Sequence, residues 1–367
     1  MTRAATRRAA RTGIVLAVIS AACASARAGE VLYAPEGNRL HRIDVASIGT
    51  GALRHEVAIE NAEGDPAHGR DINGMVCALP DGSGRFVAGE DTGQPHPPAG
   101  WGVFEPDGRQ VGRLVTTATA AKPDPYGCGF DPAGRLFTTE IGDAGFTGGN
   151  GQLILWFPPY DRFPDPGSVD ATSPNACKLA TDIGTAMGVA IDAQGRVYVA
   201  SSSGFRILRF SPPFPASVAE CSARDSTGAP AAPTVQREVF AWAKPASGLL
   251  TYSGLAFAPN GNLYAASVAT GRIGELDAHG DLVRLVLAPD RWLPPFATGT
   301  PQGLAVDAAG SLYYADLALA WRGATLWPGP NGRVWRIRFQ GGAPQAPEEI
   351  LGGLEFPDGV GVLDAAP

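Results

Sequence analysis

Long amphipathic helical periods are nearly absent from this chain, because 48 glycines and 32 prolines in 367 residues interrupt any stretch that could sustain one. An all-β fold follows. Basic charge is also in deficit, with 29 Lys and Arg against 36 Asp and Glu. This excludes nucleic acid as a partner, since such binding needs a basic face to displace counterions. The five histidines, at 41, 55, 68, 96 and 279, show no metal-pair spacing. There is no Gly-x-Ser-x-Gly elbow, phosphate-cradling loop or Cys-x-x-Cys. Beyond the N-terminal Gly13–Ala24 stretch no apolar run is long enough to span a bilayer.

What the chain does have is one phrase, repeated. A glycine opens alternating apolar residues, a turn of Asp, Asn or Pro with Gly follows, and then Leu or Val and an aromatic. The phrase reads Gly127-Cys-Gly-Phe-Asp131-Pro-Ala-Gly134-Arg-Leu-Phe137 and Gly188-Val-Ala-Ile-Asp192-Ala-Gln-Gly195-Arg-Val-Tyr198, and recurs over Gly254–Tyr264 and Gly303–Tyr313. A fifth copy, Gly74–Phe86, carries a longer turn. The sixth is split: Gly359–Pro367 supplies its first half and Gly29–Tyr33 its second. A repeat whose last copy is shared between the chain ends describes a ring, because closure removes exposed sheet edges.

Each copy has the signature of a β-hairpin with a Gly-containing turn. The opening glycines at 74, 127, 188, 254 and 303 are separated by 53, 61, 66 and 49 residues, enough for four strands per unit. The spacing predicts a six-bladed β-propeller of four-stranded blades over residues 29–367, its last blade closed by both termini. The Pro-rich stretches Pro158–Pro174 and Ser211–Pro233 are expected to be surface excursions within blades two and three.

Residues 1–28 form a signal peptide by pattern: Arg3, Arg7, Arg8 and Arg11, then the apolar run, then Ala26-Arg27-Ala28. Cleavage after Ala28 would export the chain to the periplasm or the medium. Without that segment 24 basic residues face 36 acidic ones, a net charge of −12. The mature chain keeps Cys77, Cys128, Cys177 and Cys221, and export permits disulfides. Cys177 and Cys221 both precede the outermost strand of neighbouring blades, which predicts a bridge between them. Cys77 and Cys128 lie on adjacent innermost strands, either paired or as two buried thiols. The seven tryptophans are expected to pack between blades or cap the rim, with Trp321 able to line the entrance.

In such a ring the innermost strands start at one face and the second strands return to it. Asn73, Tyr126, Met187, Ser253, Gln302 and Asp358, each just before an opening glycine, therefore converge on one mouth of the channel. Glu90, Asp91, Glu140, Asp143, Ser201, Ser202, Ser267 and Asp316 follow the returning strands. Asp358, Asn73 and Gln302 belong to three consecutive blades and offer one carboxylate and two amide carbonyls. These oxygens suit a hard divalent cation, calcium first, with Glu90 or Asp316 as the carboxylate that activates water. Asn, Asp and Ser before glycine are equally ordinary turn formers. His68, near Arg70 and Asp71, is a further candidate base.

At these repeats the chain resembles six-bladed propellers with NHL-type repeats and the related gluconolactonase, regucalcin, paraoxonase and strictosidine synthase group. In the lactonase branch a divalent cation is held at the mouth by a glutamate, by asparagines preceding glycine and by an aspartate preceding glycine. Asn73-Gly74 and Asp358-Gly359 match two such positions, whereas Tyr126, Met187 and Ser253 replace others and no opening-strand glutamate is found. The resemblance implies either a cation-dependent lactone or ester hydrolase acting on a small molecule, or a non-catalytic propeller holding a protein or carbohydrate ligand. A monomer is expected in both cases. A quinone-dependent dehydrogenase would need basic residues and histidine clustered at the mouth, which the pattern does not supply.

Overall fold

The repeated phrase folds as the inner hairpin of each blade, and its chemistry lies in the turn. Asp131 Oδ1 accepts the amides of Ala133 and Arg135 at 3.0 and 2.9 Å, and its other oxygen binds the Arg135 guanidinium at 2.6 Å. Asp192 does the same with Gln194, Arg196 and the Arg196 side chain. Gly134 and Gly195 close these turns at φ of 76° and 73°, a left-handed backbone that side chains disfavour. The aspartate fixes the turn, the glycine makes it possible, and the register of the following strand is set.

The computed structural model describes residues 29–60, 71–91, 99–115, 124–142, 150–163, 175–226 and 228–364. Residues 1–28, where a signal peptide is expected, lie outside them, as do His68, Arg70, His96 and Asp143. Six blades of four antiparallel strands form a propeller, five as separate sheets and the second as part of a six-stranded one. From the inside outward, blade 1 comprises Asp71–Ala78, Phe86–Asp91, Gly100–Phe104 and Gln110–Leu114. Blade 2 comprises Pro125–Phe130, Leu136–Glu140, Gln152–Trp156 and Ala176–Ala180; blade 3, Ala186–Ile191, Val197–Ser201, Arg206–Ser211 and Gln236–Trp242. Blade 4 comprises Leu255–Phe257, Leu263–Ser267, Arg272–Leu276 and Leu282–Leu287; blade 5, Pro301–Val306, Leu312–Asp316, Gly332–Ile337 and Glu348–Leu354. In blade 6 the innermost strand Gly361–Asp364 pairs antiparallel with Glu30–Glu36, which is followed by Arg39–Asp44 and His55–Glu60. The only described helices are single 3-10 turns.

The apolar residues sort into six cores, one at each interface between neighbouring blades. Trp101 and Trp156 are fully buried between blades 1 and 2, and Trp335 is buried between blades 4 and 5. Trp242, Trp292, Trp321 and Trp327 are instead about half exposed.

The inner strands approach one another only because glycine opens each phrase. A Cβ on Gly74, Gly127, Gly188, Gly254 or Gly303 would stand within 3 Å of the carbonyl oxygen of Tyr126, Met187, Ser253, Gln302 or Asp358 of the next blade, and one on Gly359 would strike Gly74. Six glycines thus form the neck of the channel.

Two disulfides join blades. Cys77–Cys128 links the inner strands of blades 1 and 2. Cys177–Cys221 ties blade 2 to the excursion of blade 3. Cys177 lies within the outermost strand of blade 2 rather than before it, and the excursion folds back as the hairpin Ala223–Arg224 with Pro230–Ala231, which extends that sheet at Lys178. The buried ion pair Lys178–Asp225, 2.7 Å, holds the same junction. Together with the lack of any described helix long and apolar enough to cross a membrane, the disulfides are compatible with an extracytoplasmic protein.

Candidate functional site

All six residues preceding the opening glycines are buried where neighbouring inner strands meet. Tyr126 is fully buried and reaches across the ring. Its hydroxyl donates to the main-chain oxygen of Asp358, two blades away, at 2.9 Å, and burial pushes its phenol well above the usual range, with Asp358 and Asp124 adding to the effect. Met75 reaches across to Gly303, its sulfur 3.1 Å from where a Cβ would be. Met187 and Ser253 turn their polar groups into the ring: the Met187 carbonyl accepts from Thr139 Oγ1 at 2.6 Å, and Ser253 Oγ donates to the Gln302 carbonyl at 3.3 Å.

The opposite arc, across blades 5, 6 and 1, differs. Asp358 Oδ1 accepts the Gly74 amide at 2.8 Å, so its carboxylate sits directly beside Asn73-Gly74. Asn73 is 9 % exposed, and its Oδ1 is buried without a hydrogen-bond partner. An unpaired buried amide oxygen costs about 1–3 kcal/mol, and natural proteins rarely tolerate it unless water or an ion completes it. Gln302 lies one blade beyond Asp358, since the Gly303 that follows it packs on Gly359. The structure therefore brings Gln302, Asp358 and Asn73 onto one arc of the mouth.

It does not bring the two expected catalytic carboxylates there as free groups. Glu90 reaches outward over Gly102, where it meets Arg113 Nε at 2.9 Å and Gln110 Nε2 at 3.2 Å on the outermost strand. Asp316 is fully buried. It accepts the amides of Thr300 and Ala318 at 2.6 and 2.7 Å, Thr300 Oγ1 at 3.1 Å, Arg333 Nε at 3.0 Å and Trp335 Nε1 at 3.2 Å. Both carboxylates are thereby spent on holding strands together. No short sequence pattern announced this, because the partners come from third and fourth strands whose register the phrase does not encode.

A further polar arrangement lies on blade 6, around the Glu36-Gly37 turn that the sequence reading places in the N-terminal blade. Glu36, at the mouth end of the second strand of blade 6, lies 3.3 Å from His41 Nε2, and His41 Nδ1 lies 2.7 Å from His55 Nε2. Glu36 also accepts the Glu355 amide at 3.0 Å and pairs with Arg39 at 3.4 Å. Alternation on Arg39–Asp44 and Glu30–Glu36 would have placed Glu36 and His41 on the same sheet face.

A bound cation can be judged against this donor set. Oxygen atoms from one carboxylate and two amides are the right kind for calcium or magnesium, and the orphaned Asn73 Oδ1 is the position such an ion would complete. Three protein ligands fall short of the six to eight that calcium takes, so water or substrate would fill the rest. Among the described residues no group of three or more His, Cys, Asp and Glu is placed to hold a metal.

No protein-family description matches the chain, and no curated protein does either. Solved structures do. The chain is similar to a luciferin-regenerating enzyme at 14 % identity and a TM-score of 0.53, covering 91 % of this chain and 97 % of that one. A chain of a nidogen/laminin complex matches at 13 % identity and 0.54, covering 91 % and 98 %. A calcium-binding regucalcin from Agrobacterium tumefaciens matches at 15 % identity and 0.49, covering 78 % of each chain. The first two likenesses are of fold alone, and they agree with the propeller that the sheets form.

Proposed function

We propose that this propeller holds a hard divalent cation at the mouth, on Asn73, Asp358 and Gln302, and that the site serves the opening of a small lactone or ester. One observation carries the reading: a buried amide oxygen without a partner, Asn73 Oδ1, on the residue before the glycine whose N–H donates to a buried carboxylate of the neighbouring blade. Bound there, the cation would polarise a substrate carbonyl and stabilise the negative charge that develops on its oxygen. The protein's own contribution is to fix the oxygens: Gly74 N–H orients the Asp358 carboxylate, and Tyr126 O–H ties the Asp358 main chain. Hydrolysis of a panel of five- and six-membered lactones and aryl esters is expected with added calcium, lost on chelation, and abolished with Asp358→Ala. No turnover under any metal would refute the catalytic half of the proposal.

A non-catalytic reading is favoured by a different observation. Glu90 and Asp316 are engaged in buried ion pairs, leaving neither free as a base. On this reading the same mouth binds a ligand without transforming it. Cation binding with no turnover on the panel supports it.

A further inference from the structure

The blades repeat a small polar device at the mouth that is complete in some and incomplete in two. Where the second strand ends, its last residue stands opposite the first or second residue of the third strand. In blade 5 that pair is Asp316 and Arg333, and in blade 6 it is Glu36 and Arg39, both ion-paired. In blades 3 and 4 the arginines are kept, as Arg206 and Arg272, but serines stand opposite them: Ser201 and Ser267. Ser267 occupies the same niche as the aspartate, whereas Ser201 Oγ donates to the Ile183 carbonyl and the Thr185 amide donates to Ser203 Oγ at 2.9 Å. Ser267 Oγ accepts the amides of Leu250 and Thr251 at 3.2 and 3.3 Å, as Asp316 accepts those of Thr300 and Ala318.

The result is two guanidinium groups with no ion-paired carboxylate among the described residues, in a chain with seven more acids than bases. Arg206 Nε is buried without a hydrogen-bond partner. The acid whose charge it shares, Asp182, is gripped by both Arg237 nitrogens, at 2.5 and 2.7 Å. Arg272 is 6 % exposed and reaches only the Thr270 carbonyl, at 3.0 Å. Each arginine lies against an exposed tryptophan instead. Arg272 sits 4.2 Å from the Trp292 ring centre and Arg206 5.8 Å from that of Trp242, with both rings about half exposed.

These two pairs belong to one surface. Ala243 N donates to the Phe205 carbonyl, Tyr252 O–H to that of Trp242, and Thr270 Oγ1 to that of Gly248, while a Cβ on Gly248 would meet both Arg272 and Trp292. Phe205 and Leu293 stand exposed beside them. Half-exposed tryptophans backed by arginine and fringed by apolar side chains have the composition of protein-interface hot spots.

We propose that the face of blades 3 and 4 that carries Trp242 and Trp292 is a docking surface for a polypeptide segment carrying acidic residues between apolar ones, whose carboxylates pair with Arg206 and Arg272 where these guanidinium groups lie against the two exposed rings. The charge pattern names the occupant: the carboxylate that blades 5 and 6 supply from within has to come from outside, at the edges of Trp242 and Trp292.

The test uses labelled twelve-residue peptides alternating Glu with Phe and Leu, read by fluorescence anisotropy and by the tryptophan emission of the full chain. The Glu peptide is expected to bind, with affinity falling as salt rises, and its Gln counterpart to bind at least about tenfold more weakly. Arg206→Gln and Arg272→Gln should each weaken the Glu peptide by a similar factor. Ser267→Asp, which copies the blade 5 arrangement, should do so with the thermal midpoint preserved, and Trp242→Ala provides a variant at an exposed site. Absence of binding, equal affinity for Glu and Gln peptides, or undiminished binding by Ser267→Asp would overturn the proposal. So would tighter binding of polygalacturonate or of anionic phospholipid vesicles, which would assign the surface to a polysaccharide or a membrane.

Discussion

At the residue scale, the geometry turns on single groups whose neighbours cannot move. Gly359 faces the Gly74 carbonyl so closely that any Cβ must displace backbone on both blades. Gly359→Ala is expected to cost about 2–4 kcal/mol in urea unfolding, in the range of core overpacking with added strain. Gly82, at φ of 71° but with open space around it, should cost only the left-handed penalty of about 1–2 kcal/mol on the same change. Histidine supplies a second test. Burial and the neighbouring His41 hold His55 below the usual imidazole range, against weaker opposing pulls from Glu36 and Glu56. A histidine depressed in the folded state binds its proton more readily when unfolded. Its contribution is therefore complete above the ordinary imidazole value near 6.5 and is lost as pH falls below it towards the depressed folded value. The thermal midpoint should drop between about pH 7 and pH 5, and His55→Asn should flatten that part of the profile. A parallel drop in wild type and variant would show that other groups carry it.

At the scale of elements, the inner hairpins were legible because their turn chemistry is local: an Asp side chain, two amides and an Arg within five residues of one another. The outer strands and side-chain partnerships were not. Glu90 was placed near the mouth by strand order, yet its orientation depends on Arg113 and Gln110, across two hydrogen-bonded strands and a glycine at 102 that leaves room for it. The three positions proposed to hold the cation are read from the phrase as residues before glycine, whereas the bond from the Tyr126 hydroxyl to the Asp358 main chain depends on how far a phenol reaches across a closed ring. The two disulfides separate two kinds of element. Cys77–Cys128 staples inner strands 51 residues apart, and replacing both cysteines by Ala should cost about 2–4 kcal/mol of global stability. Cys177–Cys221 restrains an excursion packed on the outside of blade 2. Its removal should expose the segment around Ala223–Arg224 to limited proteolysis, with a smaller fall in the global midpoint. Equal effects from the two pairs would contradict this division.

At the scale of the molecule, six separate interblade cores are coupled into one ring by a single short pairing, Gly361–Asp364 with Glu30–Glu36. The ring sets the positions from which function is read, since only closure makes Asp358 of blade 6 the neighbour of Asn73 of blade 1. The proposed cation positions lie over blades 5, 6 and 1, apart from the arginine–tryptophan pairs of blades 3 and 4. A crystal of the protein soaked in manganese and measured at an anomalous wavelength tests the central claim most directly. The account predicts one anomalous peak within about 2.5 Å of both Asn73 Oδ1 and the Asp358 carboxylate, absent from Asp358→Ala; no peak at the mouth, or one that survives that substitution, would contradict it.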